Sequence, residues 1–136
     1  MADQVRQPAY DLQAADLLYR FVHESCLNPD GTLNSGAFTL RRDPHLSVGI
    51  SKLVLDISFE RFCALKPGFA LAQVRLSDVT ALGIVVRQAT DPEWGDFQNA
   101  HAVMDGYEGW TNKKKEDAAR ALRDAANRLG VIRGPR

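Results

Sequence analysis

The run Leu17-Leu18-Tyr19-Arg20-Phe21-Val22-His23 constrains this chain most, because it sets an arginine and a histidine inside an otherwise apolar stretch. Such stretches are normally buried, and an unpaired buried charge costs on the order of several kcal/mol. Arg20 and His23 therefore need partners, solvent or a ligand. The run also reads two ways. Leu12, Ala15, Tyr19, Val22 and Cys26 fall at helical spacing, whereas Tyr19, Phe21 and His23 alternate as in a strand. A helical or irregular start that becomes a strand near Leu17 is expected.

Turn chemistry punctuates the chain beyond this run. Asn28-Pro29-Asp30-Gly31 and Asp43-Pro44 are turn signals, so Ala37 to Leu40 and Leu46 to Ile50 are expected as strands, paired as a hairpin. Asp56 or Ser58 can cap a short helix with Phe59, Phe62 and Leu65 facing inward, closed by Lys66-Pro67-Gly68. Phe69 to Leu76 reads as a buried strand, Ser77 and Asp78 open a second short helix ended by Gly83, and Ile84 to Val86 start another strand. Residues 90–99 read as an exposed loop, and Ala100 to Asp105 as a strand. In the last helix Thr111 is the N-cap, Ala119, Leu122, Ala126 and Leu129 form the apolar stripe, and Gly130 is the stop.

Strands and helices without regular alternation predict an α+β fold, with a mixed or antiparallel sheet, two short helices and a longer C-terminal amphipathic helix. The length of 136 residues suits one domain, spanning 12–132 between a leader at 1–11 and a tail at 133–136. The N-terminus lacks the apolar core of a signal peptide, and no apolar run approaches the ~18 residues of a membrane span, so a cytoplasmic protein without membrane contact is expected. Two cysteines, Cys26 and Cys63, are too few for a disulfide framework.

Lys plus Arg and Asp plus Glu both total 17, so net charge does not select a nucleic-acid partner. From Asn112 to Arg136, however, eight basic residues face three acidic ones. The four-residue spacing of Glu116, Arg120, Asp124 and Arg128 accounts for much of this as a solvated helix face, leaving Lys113-Lys114-Lys115 as a free basic knot. Zinc is not expected: His23, Cys26, His45, Cys63 and His101 match no compact ligand spacing, and Cys63 shares an apolar helix face with Phe59 and Phe62.

Candidate catalytic groups are Arg20, His23, Ser35 and His101. Histidine suits proton transfer near neutral pH, although a lone strand-end histidine is more often structural. On one strand His101 and Asp105 share a face yet lie about 13 Å apart, too far to touch. Ser35 lacks a nucleophile elbow, and a turn serine bonding its own backbone is the simpler reading. Trp94 with Glu93, and Trp110, are candidate interaction anchors or lids on the core.

The order Leu18-Tyr19-Arg20-x-Val22-His23, Asp30-Gly31, Ser35-x-x-Phe38, Leu46-Ser47-Val48 and His101-Ala102-Val103 before a Lys-rich helix resembles a group of small uncharacterised bacterial proteins. The opening is also similar to the first strand of RES-type NAD-degrading toxins, relatives of the ADP-ribosyltransferase fold. That likeness implies that Arg20 grips a dinucleotide, NAD. Gly36-Ala37-Phe38 stands where those toxins carry a glycine-rich Arg-Trp-Asn segment, and only Glu60 or Glu93 offers a glutamate. The leading expectation is a binding or accessory module that works with a protein partner in a bacterial defence or toxin–antitoxin-like system. A compact NAD-using enzyme is the alternative, and weak nucleic-acid binding through Lys113 to Lys115 a second one.

Overall fold

The computed structural model describes residues 9–133. Residues 1–8 of the leader expected at 1–11, and 134–136 of the tail expected at 133–136, lie outside the described residues. The strands are β1 (Leu17–Val22), β2 (Leu46–Ile50), β3 (Ala70–Arg75), β4 (Val85–Gln88), β5 (His101–Asp105) and a two-residue β6 (Ile132–Arg133). The helices are α1 (Ser51–Ile57), α2 (Phe59–Cys63), α3 (Leu76–Thr80) and α4 (Asn112–Leu129), with further 3-10 turns at Glu24–Cys26, Ser35–Phe38 and Pro92–Ala100. All strand pairs are antiparallel, in the order β4-β5-β2-β1-β3-β6. The α+β expectation therefore holds, with an antiparallel sheet.

Alternation sorts the strand side chains onto two faces. Leu18, Val22, Leu46, Val48, Ala72, Val74, Ala102 and Met104 form the larger core with Phe38, Val79 and the Ala118, Ala119, Leu122 and Ala126 stripe of α4. Tyr19 and Leu71 enter a smaller, aromatic core with Val54, Phe62, Cys63, Trp94 and Phe97. The sheet is thus sandwiched, with α3, α4 and the 35–38 turn on one side and α1, α2 and the 92–100 segment on the other. Aromatic packing draws that second layer close. A Cβ at Gly49 would stand 2.8 Å from Phe62 Cζ and 3.3 Å from Trp94 Cζ3, so only glycine lets β2 pass beneath them.

Several local expectations are corrected. Residues 12–16 form no helix; Tyr10 and Gln13 bond Asp16, and Asp16 carbonyl accepts from Leu76 N–H. Ala37 to Leu40 is not a strand, because Asn34 accepts from Gly36 N–H at 2.9 Å and starts a 3-10 turn. The expected hairpin is therefore absent, and β2 instead pairs with β1 and β5. The helix capped by Ser58 forms, but Leu65 is exposed, and a third short helix, α1, precedes it. Residues 92–100 are no exposed loop: Trp94, Phe97 and Ala100 are buried, with Gly95 at φ 57° making the kink between two short turns. Thr111 and Gly130 cap α4 as expected. Among the described residues no helix is long and apolar enough to cross a membrane.

Candidate functional site

The central sheet is forked. β1 and β2 pair only at Leu18 with Ile50 and Tyr19 with Gly49, whereas β1 pairs along its whole length with β3 and β2 stays paired with β5 from Leu46 to Gly49. Beyond Tyr19 the two middle strands no longer share a ladder. Backbone groups left there need other partners, and the Arg20 side chain supplies one. Its Nε donates to the Ala37 carbonyl at 2.9 Å and its Nη1 to the Ser47 carbonyl of β2 at 3.2 Å.

Both acceptors are neutral. Among the described residues Arg20 forms no ion pair with a carboxylate. Two of the five guanidinium N–H donors are used in these bonds, leaving three for something else. Burial pushes the guanidinium below its ordinary pKa, while neighbouring Cys26, Tyr107 and Asp43 pull it back. A half-buried, permanent cation with no carboxylate in ion-pair contact thus sits at the mouth of the fork.

A hollow of about 450 Å³ opens over it. Arg20, Lys66, His23 and His45 supply its cationic or protonatable groups, Asp43 its carboxylate and Cys26 a half-buried thiol. His23 is exposed, and its Nδ1 lies 3.1 Å from the Ser25 backbone nitrogen and 3.0 Å from Ser25 Oγ, which fixes the ring. Lys66 Nζ lies 5.4 Å from the Phe69 ring centre and 5.8 Å from that of Phe21. The 41–44 turn that carries Asp43 is held from below by the fully buried Tyr107, whose hydroxyl donates to the Asp43 carbonyl at 2.8 Å.

That strut titrates late. Burial, opposed by Arg20 and reinforced by Asp43, holds the Tyr107 phenol up at about 12. Burial likewise raises Tyr19, and burial with the Asp16 hydrogen bond raises Tyr10. In the unfolded chain tyrosine ionises near 10, so between about pH 10 and 12 the unfolded state binds fewer protons than the native one. Stability then falls as pH rises through this window, and is unaffected by these phenols below it. In urea melts Tyr107→Phe is expected to flatten the decline between pH 10 and 12; an unchanged slope would contradict the assignment.

The predicted site residues are only partly brought together. Arg20 and His23 share the cleft. Ser35 faces a separate hollow of about 360 Å³ with Arg41, Lys115 and Arg120, where Arg41 pairs with Glu116 at 2.7 Å. His101 is buried on the aromatic face beneath Trp94, with ring centres 4.6 Å apart. Trp94 is a core residue against Phe21 and Phe62, which removes it as an exposed anchor. Glu93 is exposed beside it. Trp110 is half-buried against Tyr107, with Lys114 Nζ 4.1 Å above its ring.

Within the basic knot Lys113 pairs with Asp117 at 3.0 Å and Lys114 lies over Trp110. The helix charges pair as Lys113–Asp117, Arg120–Asp117 and Arg123–Asp124, rather than along the four-residue ladder through Glu116 and Arg128. Cys26 and Cys63 are free, and among the described residues no three His, Cys, Asp or Glu side chains converge as a metal site. Lys66, His45, Asp43 and Cys26 come to the cleft from segments far apart in sequence. The flanking Asp43-Pro44 turn is the one local signal that this segment bends toward it. Compared with protein-family models, curated proteins and solved structures, the chain finds no match.

Proposed function

We propose that this protein is a binding module whose forked sheet captures a small oxyanion, phosphate being the simplest example, on Arg20. One observation carries the reading: a guanidinium at the fork with neutral carbonyls on two donors and three donors left over. Charge-assisted bonds to such a group are short and strong, and Lys66 adds a second cation to a cleft whose one carboxylate is Asp43. Binding rather than catalysis is favoured because Ser35 faces another hollow and His101 is buried away from the opening. Exposed Leu55 and Ile57 on α1 offer apolar surface to the protein partner expected of an accessory module.

An anion at about ten times its dissociation constant stabilises the native state by about 1.4 kcal/mol, or about 3–6 °C in Tm for a domain of this size. Phosphate also stabilises proteins generally by exclusion from their surface. The test is therefore the Tm difference between phosphate and chloride at equal ionic strength, in wild type and in Arg20→Met. A phosphate increment specific to Arg20 supports the reading, and an equal increment in both proteins overturns it.

A second reading, NAD breakdown, has one observation in its favour: Arg20 opens into a cleft, as the likeness to RES-type toxins implies. Proton NMR of NAD+ with the protein separates the two. Loss of the nicotinamide–ribose signals with wild type but not Arg20→Met favours the enzyme; unchanged NAD+ removes it.

A further inference from the structure

The fork opens on both sides. A second hollow of about 270 Å³ shares Arg20, Phe21, Ser47 and Lys66 with the first and continues to Asp91, Glu93 and Trp94. The two hollows therefore adjoin across the fork, and the groove at this second one runs from Arg20 and Lys66 to acidic and aromatic groups. Resting on the oxyanion reading, we infer that the ligand is a small zwitterion, whose oxyanion sits on Arg20 while an ammonium group reaches Asp91 and Glu93.

His101 supplies the independent argument. Its Nδ1 lies 2.6 Å from the Ala89 carbonyl, which can only accept, so Nδ1 carries the hydrogen. Nε2, the other ring nitrogen, faces Asp91 Oδ2, 3.8 Å away. Nε2 is buried and has no hydrogen-bond partner, although the side chain is only 7 % exposed. The atom thus faces Asp91 with no partner within hydrogen-bond reach, and buried polar atoms are rarely left so. The Asp91 side chain is 29 % exposed and lines the groove, so a donor can approach it from there. Asp91 Oδ1 already accepts from the backbone N–H of Glu93 at 3.0 Å, and both residues line the same hollow. A cation arriving there meets both carboxylates and the rings of Trp94 and Phe21, surroundings that favour an ammonium over a neutral group.

Calorimetric titration of the full chain tests this with ω-aminoalkyl phosphates of two to four carbons against n-alkyl phosphates of the same lengths. The best amino ester is expected to bind wild type at least tenfold tighter than its alkyl match. Glu93→Gln, which leaves the Asp91 cap intact, should reduce that ratio, and Asp91→Asn with Glu93→Gln should bring it below twofold with alkyl phosphate still bound through Arg20. Equal affinities in wild type, with alkyl phosphate still bound through Arg20, overturn the zwitterion and leave the oxyanion reading standing. No alkyl phosphate binding, or binding that survives Arg20→Met, overturns both. Co-sedimentation with phosphatidylethanolamine vesicles would place the same chemistry on a lipid headgroup; without it, the aminoalkyl ester is bound free.

Discussion

Arg20→Met is expected to weaken phosphate binding at least a hundredfold while leaving a folded domain. The substitution keeps an unbranched side chain of similar reach and removes all five donors. Stability should change little, because two large effects oppose one another. Charge-assisted bonds to the Ala37 and Ser47 carbonyls are lost, at about 1.5–3 kcal/mol each. Against this, a desolvated cation outside any ion pair no longer has to be accommodated. A net change within about 2 kcal/mol results from these opposing effects. A buried Arg–carboxylate pair would behave differently, since breaking one typically costs about 3–5 kcal/mol. Chemical denaturation in chloride buffer, followed by titration with phosphate, distinguishes a binding group from a strut. A collapse in stability with unaltered phosphate affinity would make Arg20 a strut.

The largest loss of stability is expected from Phe62→Ala. Phe62 is fully buried, stacks on Phe21 at 4.8 Å between ring centres, and meets Trp94 and Phe97 edge-on at 5.4 Å each. Removing a buried phenyl ring usually costs about 3–5 kcal/mol, part of it for the cavity left behind. Domains of this kind have only about 5–15 kcal/mol in total. The urea midpoint should therefore fall steeply with little change in slope. Phe62 also supports the fork, because Phe21 belongs to the half of β1 that has left β2. The phosphate response should weaken with it. A loss under about 1 kcal/mol would mean that this layer can collapse around the gap.

The contrast between these two residues shows where the sequence is legible. Thr111, Gly130 and the alanine–leucine stripe announce α4, because caps and helical periodicity are local. Arg20 and His23 stand out as charged groups in an apolar run, and both reach the cleft. Asn34 is a readable signal that strand periodicity outweighs: an amide before Ser35-Gly36 favours a capped turn over the strand expected at Ala37 to Leu40. Trp94 misleads because Pro92, Glu93, Gly95 and Asp96 around it are polar or turn-forming. Its burial comes from Phe21 and Phe62, which no local pattern connects to it. The fork itself is a matter of register between β1 and β2, residues about thirty apart. Single-sequence periodicity carries no such information, and so Lys66, Asp91 and the role of His101 emerge only in three dimensions.

The most direct test of an anion site at the fork is a ¹⁵N–¹H correlation spectrum of the labelled protein titrated with phosphate at constant ionic strength. The Arg20 Nε–H resonance, with the Phe21, His23 and Ser47 amides, should shift together and saturate with one dissociation constant, while Lys113 to Lys115 stay in place. Shifts confined to the α4 lysines or to the Ser35 hollow, with Arg20 unmoved, would contradict an anion site at the fork.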